Sequence, residues 1–209
     1  MLNVGAGTGS YEPADREVTA LEPSEAMIRQ RPAAAAPAIQ GQAEALPFPD
    51  HSFDAAMAVL TVHHWTDKGL GLREMRRVSR GRLVLLTFDP AHRDNWLLDY
   101  FPGLATLDDE QMPRLPEYAR HLGPVDISPV PVPHDCSDGF LYAYWRRPAA
   151  YLDPRIRQGM SSFWALDGIN HGLERLARDL DSGEWTRRYG SLLERDEVDA
   201  AYRLVVASA

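Results

Sequence analysis

Asn3-Val4-Gly5-Ala6-Gly7-Thr8-Gly9 follows directly on Met1 and Leu2. Three glycines at alternate positions let the backbone turn sharply and approach a ligand with no Cβ in the way. Such a turn after a buried strand is how a Rossmann-like sheet receives a nucleotide-containing cofactor. The strand before it can only be drawn from Met1–Val4. Alone, the string is unspecific. GxGxG occurs in ordinary loops, and the dinucleotide fingerprint GxGxxG differs by one spacing.

The next segments add specificity. Val18-Thr19-Ala20-Leu21 is a short β-type run ending in Glu22, followed by Pro23 and Ser24. An acid at the end of the second strand can accept two hydrogen bonds from ribose hydroxyls. The alternative for Glu22 is a solvated loop acid. Ser24 reads as the N-cap of a helix carrying Glu25, Ala26, Met27 and Ile28.

The third segment is Gly41-Gln42-Ala43-Glu44-Ala45-Leu46-Pro47-Phe48-Pro49-Asp50-His51-Ser52-Phe53-Asp54. With VGAGTG and ALEPS at these intervals before it, the chain resembles the class I S-adenosylmethionine-dependent methyltransferases. The branch it looks most like is the small-molecule type that includes the ubiquinone/menaquinone and trans-aconitate enzymes. The resemblance is strong over about residues 2–90 and only architectural beyond.

That resemblance implies roles. Gly5, Ala6, Gly7 and Gly9, with Asn3 before them, would wrap the methionine part of S-adenosylmethionine. Glu22 and Pro23 would hold the ribose, and Met27 would lie near the adenine. Gln42, Ala43 and Glu44 would meet the adenine edge. Val59 and Leu60 would end the fourth strand beside the sulfonium, and Thr61–Trp65 would face the transferred methyl. The product would be S-adenosylhomocysteine.

Three departures stand against the family pattern. It usually has an acid where Asn3 stands and another where Gln42 stands; both amides can still accept a hydrogen bond. Ser10–Glu17 is short and contains Pro13, so a turn or two replaces the usual helix. The family also has a leading segment of some tens of residues that folds over the cofactor. Here an N-terminal helical segment is expected to be absent, and restoring an upstream segment is expected to tighten cofactor binding.

A length of 209 residues suits one domain with a sizeable core. There is no run of 18 apolar residues and no signal-peptide pattern, so a cytoplasmic protein without a membrane segment is expected. The single cysteine, Cys136, excludes an internal disulfide framework and a cysteine-type zinc cluster. A net charge of −8 argues against a nucleic-acid substrate.

The expected fold is α/β. It is a Rossmann-like, mostly parallel seven-stranded sheet with an antiparallel edge strand and helices on both faces. Strands are expected near 2–4, 18–21, 38–40, 54–59 and 82–88, with helices over about 24–31 and 66–79. The second helix carries Leu70, Leu72, Met75 and Val78 on one face. Gly81 is expected to break it. Continuous apolar strands between helices mean a parallel sheet covered on both sides.

After Asp89-Pro90 the pattern changes to aromatic residues and acids. Val125–Val132 contains Pro129 and Pro131 and reads as an edge strand. Tyr202–Ala207 is a final strand, and the family pairs its last two strands antiparallel. About 60 residues, 137–196, are inserted between them. Helices are expected to begin there near Ser137-Asp138 and Asp153-Pro154, and Leu173, Leu176 and Leu180 form one stripe. The insertion should be a helical lid or a dimer surface. The single domain 1–209 thus divides into a cofactor half, 1–90, and a substrate half, 91–209.

A sulfonium is already an activated methyl donor, so the protein must align the partners and exclude water. A high-pKa oxygen nucleophile would also want a base. His63 and His64 follow strand four, where the acceptor should lie, as base or as substrate-lining groups. A metal role is not expected, because adjacent histidines on a strand end should point in different directions and no nearby acid pair completes a set. Substrate-pocket candidates are Trp65, Trp96, Tyr142, Trp145, Arg146 and Arg147. Either arginine could clamp a carboxylate, or both could pair with surface acids around a core of aromatic rings.

Two alternatives remain at this level. A NAD-dependent oxidoreductase would want GxGxxG and an acid about 20 residues on. A non-catalytic relative that kept the fold as a binding protein would suit Asn3 and Gln42.

Overall fold

The computed structural model describes residues 1–208. In chain order the strands are β1 Leu2–Val4, β2 Thr19–Glu22, β3 Ala38–Gln40, β4 Phe53–Val59, β5 Ser79–Phe88, β6 Val125–Pro129, β7 Val132–Pro133, β8 Glu197–Val198 and β9 Tyr202–Ala207. The α-helices are α1 Glu25–Arg29, α2 Lys68–Val78, α3 Leu97–Tyr100, α4 Gly103–Gln111, α5 Leu115–Leu122, α6 Pro154–Gln158, α7 Ser161–Ala165, α8 Ile169–Asp181 and α9 Glu184–Tyr189.

Seven strands form one sheet in the order β3-β2-β1-β4-β5-β9-β6. The β1–β5 pairs are parallel, and β6 pairs antiparallel with β9, Val125 opposite Ala207 and Pro129 opposite Arg203. This is the expected Rossmann-like sheet with its antiparallel edge. Pro129 sits where the edge strand ends, which is where a residue without an N–H is tolerated.

The chain divides into two compact units. The first contains Met1–Asp89, Gln111–Pro129 and the chain from Arg203 on; the second contains Pro90–Glu110 and Val130–Tyr202. The first has a continuous core of Leu2, Val4, Leu21, Ala56, Ala58, Leu72, Met75, Val78, Leu83, Leu85, Tyr118 and Val205, all buried. The centre of the sheet is therefore apolar on both sides, as parallel strands require. In α2 the buried positions are Gly71, Leu72, Met75 and Val78, while Leu70 is exposed. Gly71 takes the fourth place on the stripe because the Trp65 ring lies against it and leaves no room for a Cβ.

Gly81 does not break the helix. It lies inside β5, where a Cβ would strike the Asp54 carbonyl. The β4–β5 register shifts between Phe53 and Ala55 at the same place. The glycine admits this irregularity, and α2 ends earlier, at Val78.

In the second unit, α6 starts as its sequence promises: the Asp153 carboxylate accepts the Arg155 amide at 2.8 Å and Pro154 opens the helix. The helix expected from Ser137-Asp138 is instead a run of turns over 141–146. The Asp138 carboxylate accepts the amide of Gly139 at 2.6 Å, a local bond that competes with helix formation. Helix α8 buries Gly172 and Leu176, with Leu173 and Leu180 half-buried. Gly172 lies against Phe101 and the Tyr100 carbonyl, leaving no space for a side chain.

Candidate cofactor site at the glycine turn

The site lies in the first unit, at the carboxyl ends of β1, β2 and β4. Gly5 (φ +69°), Gly7 (+53°) and Gly9 (+91°) all hold left-handed backbone that other residues rarely adopt. The amides of Gly5 and Ala6 both donate to the Leu21 carbonyl, at 2.8 and 3.0 Å. These bonds turn the chain across the end of β2 as soon as it leaves β1.

Gly5 is also sterically fixed. A Cβ there would fall on the Thr61 side chain, which is buried. Thr61 follows Leu60, which takes φ +50° at the end of β4. A leucine in that conformation is strained and is held there by its surroundings; its amide donates to the Leu86 carbonyl at 2.9 Å. The residues expected beside the sulfonium thus sit on a strained strand exit packed against the first glycine.

Glu22 is buried at the end of β2. One carboxylate oxygen accepts the Gly7 amide and the other the Ser24 amide, both at 2.9 Å. Each oxygen keeps a further lone pair for an incoming hydroxyl. Ser24 in turn caps α1 by accepting the Met27 amide at 3.3 Å. Met27 is exposed, and its sulfur would lie 3.7 Å from a Cβ at Gly7.

The Gly41–Asp54 segment is tied down by α2. Glu44 accepts the amides of Thr66 (2.6 Å) and Asp67 (3.1 Å), so this carboxylate serves the start of α2. Gln42 is exposed and Ala43 is buried. Arg77 donates to the carbonyls of Phe48 and Leu46 and to Asp50, while Glu74 accepts the Leu46 amide. Its carboxylate partners hold the Arg77 guanidinium above its ordinary pKa, Glu74 foremost. Phe48 meets Phe53 edge-on at 4.9 Å.

His63 and His64 occupy the short 3-10 turn Val62–His64, with ring centroids 3.9 Å apart. Burial, helped by neighbouring His64 and Lys68, pushes His63 down to about 3. Burial also lowers His64, against the opposing charge of Glu22. Both imidazoles are neutral near pH 7. Trp65 belongs to the core and packs on Gly71.

The remaining candidates lie in the second unit. Trp96, Tyr142 and Trp145 are all buried. The Trp96 indole donates to the Trp145 carbonyl at 2.8 Å, and the Trp145 indole to the Val132 carbonyl at 3.0 Å. Both rings line a cavity of about 420 Å³ shared with His92, Asp99, Arg188 and Arg195. Arg146 donates to the Arg195 carbonyl. Arg147 donates to the Cys136 and Ala143 carbonyls and stacks on Tyr144 at 4.5 Å. Neither arginine meets a carboxylate in these bonds. The second unit also buries Asp108, an acid that sequence reading passed over, and one of its oxygens has no hydrogen-bond partner.

Sequence reading also missed a buried ion pair under the glycine turn. Arg31 and Glu12 meet at 2.5 Å with side chains 6% and 8% exposed. No motif marks them; the one hint is a charged residue in each of two proline-containing segments that flank the turn.

A methyltransferase domain family matches residues 2–85. An uncharacterized protein of Escherichia coli, YafE, is 44% identical over 63 residues, 28% of this chain and 30% of its own. A ubiquinone/menaquinone biosynthesis C-methyltransferase of Hahella chejuensis is 52% identical over 52 residues, 24% of this chain and 21% of its own. The chain thus spans less than a third of the length of these relatives. A solved structure from Anabaena variabilis, a candidate methyltransferase of an antibiotic biosynthesis pathway, matches across 100% of this chain and 90% of its own. It has 36% identity and a TM-score of 0.91.

Proposed function

The chain belongs to the class I S-adenosylmethionine-dependent methyltransferases, and on that premise we propose that it methylates a small-molecule acceptor with S-adenosylmethionine held at the glycine turn. The observation that carries this reading is Glu22. Its buried carboxylate is aimed by two backbone amides and fixes Gly7 while keeping lone pairs for a ribose. The donor set fits the group: acceptors for hydroxyls at Glu22, glycines with no Cβ, and an exposed thioether at Met27.

In this reading Gly5, Gly7 and Gly9 wrap the amino-acid end, and Gln42 and Ala43 meet the adenine edge. Val59 and Leu60 lie beside the sulfonium. When bound, the cofactor supplies an activated methyl group, so no residue has to generate one. The chain's task is alignment and exclusion of water. A neutral His63 serves better as a hydrogen-bonding wall for the acceptor than as a base, because its environment resists the imidazolium. His64 is exposed and is the better of the two for passing a proton to water.

The second unit, with its aromatic residues and the helices of 148–189, serves acceptor recognition or self-association as a homodimer. No helix among the described residues is long and apolar enough to cross a membrane. With the acidic net charge this favours a cytoplasmic protein acting on a small metabolite rather than on nucleic acid.

Titration calorimetry with S-adenosylhomocysteine and with NAD tests the reading. Heat with the first and none with the second is expected. Binding of NAD alone would turn the reading to an oxidoreductase, and binding of neither to a non-catalytic relative.

A further inference from the structure

Beneath the glycine turn lies a buried polar network in the first unit, satisfied except at Arg31 Nε, which has no hydrogen-bond partner. The two terminal nitrogens of Arg31 make four bonds. One donates to the carbonyls of Gly7 (2.9 Å) and Ala6 (3.5 Å). The other donates to Glu12 Oε1 (2.5 Å) and the Ala36 carbonyl (3.0 Å). Glu12 completes the ring: its second oxygen accepts the Ala36 amide at 2.9 Å, and its first accepts from Asn3 Nδ2 at 3.4 Å. Asn3 is itself buried in β1. A Cβ at Gly9 would lie 3.3 Å from both Arg31 and Glu12, so the third glycine closes over the pair.

This network has a cost that core packing does not explain. A buried ion pair is seldom worth its desolvation, and an apolar pair of the same volume would often do as well. What an apolar pair cannot do is tie the Gly7 carbonyl of a left-handed turn, on one nitrogen of a planar fork, to Glu12 and the Ala36 carbonyl on the other. The turn carbonyl held is that of Gly7, whose own amide meets the Glu22 carboxylate. Arg31 is thus the third fixed point of the turn, on the side opposite the amides.

We propose that Glu12 and Arg31 are positioning residues that set the shape of the glycine turn, and through it the affinity for the cofactor, with Asn3 neutral because Glu12 fills the one anionic position under the turn. The proposal rests on the cofactor reading given above. It assigns to Asn3 a donor role that an aspartate could not fill beside Glu12. Two carboxylates at that distance cannot both ionise freely, and one must take up a proton.

The test compares wild type with Arg31→Met, Arg31→Lys, Glu12→Gln and Asn3→Asp, using S-adenosylhomocysteine titrations and hydrogen exchange of the amides of residues 5–9. The arginine and glutamine substitutions are expected to weaken binding about tenfold or more, with exchange faster at the turn but not in β4 or β5. Arg31→Lys keeps the charge and loses the fork, so it decides the matter if Arg31→Met does not fold. Asn3→Asp is expected to bind weakly at pH 8 and to recover toward wild type as the pH falls to about 5; wild type should show no such dependence. That profile separates positioning from general loosening, which pH would not repair. Wild-type affinity and wild-type exchange in Arg31→Lys would overturn the proposal, as would an Asn3→Asp protein indistinguishable from wild type at both pH values. If wild type itself does not bind, the cofactor reading falls, and the exchange rates at residues 5–9 alone decide whether the clamp shapes the turn.

Discussion

Glu22 accepts the amide of Gly7 at 2.9 Å across the gap between β2 and the turn. One carboxylate therefore does two jobs, shaping the turn and presenting acceptors at the place proposed for a ribose. Glu22→Gln should impair both. The amide oxygen can keep one backbone bond, but its NH₂ faces a second donor and leaves it unpaired. Charge-assisted bonds of this kind are worth about 1.5–3 kcal/mol. The dissociation constant for S-adenosylhomocysteine should rise roughly 10- to 100-fold and the melting temperature should fall by several degrees, as calorimetry and a thermal scan would show.

Gly5 and Gly7 share a left-handed backbone but not the space around it. At Gly5 a methyl would meet the buried Thr61 side chain, whereas at Gly7 the nearest atom is the Met27 sulfur at 3.7 Å. Gly5→Ala should therefore cost about 3 kcal/mol or more, from overpacking plus backbone strain. Gly7→Ala should cost about 1–2 kcal/mol, the strain alone. Adding Thr61→Ala to Gly5→Ala should recover part of the loss, and adding it to Gly7→Ala none. Urea unfolding of the four variants measures both differences.

A buried base and a buried acid, His63 and Asp108, pull stability in opposite directions with pH. Burial lowers His63 from 6.5 to about 3, so the unfolded chain binds more protons than the folded one between those values. The neutral ring's contribution is present above pH 6.5 and is lost as pH falls toward 3. His63→Gln should thus gain about 1–2 kcal/mol over wild type at pH 5 relative to pH 8. Asp108 is raised by burial from 3.8 to about 7, so the folded state holds the extra proton. Its contribution is present below pH 3.8 and is lost as pH rises through 7. Asp108→Asn should gain about 1–3 kcal/mol at pH 8 and almost nothing at pH 4. Melting temperatures of the three proteins across this range would cross if the signs are right, and parallel curves would refute them.

What could be read from the sequence was what lies close to the backbone. The turn needs glycines at Gly5 and Gly9, the end of β2 needs an acid at Glu22, and Ser24 and Asp153 announce helices by capping chemistry. Each of these is a local requirement, written within a few residues. The Arg31–Glu12 pair was invisible because its members lie 19 positions apart in segments without periodicity. Gly81 was misread for the opposite reason: a glycine after a helical stripe looks like a stop, and only the Asp54 carbonyl from the neighbouring strand shows why it stands inside β5. The turns at 141–146 carry an aromatic, helix-compatible string, but Asp138 and Gly139 commit the chain to a turn first. The role of the aromatic residues stayed open because burial on its own does not separate a core ring from a pocket wall.

Trp96 shows how far that ambiguity can be resolved by experiment. Its ring meets Tyr100, Tyr151 and Trp185 edge-on at 5.4–5.8 Å, while its N–H reaches the Trp145 carbonyl. If the residue matters chiefly as core, the apolar ring is what counts, and Trp96→Phe loses the hydrogen bond and some volume. Leaving a buried carbonyl unpaired costs about 1–3 kcal/mol, and the smaller ring adds about 1 kcal/mol more. A loss of that total size in urea unfolding, with unchanged affinity for S-adenosylhomocysteine, is the expected outcome. A variant as stable as wild type would instead assign Trp96 to the cavity it lines, where a ring can be trimmed without opening the core.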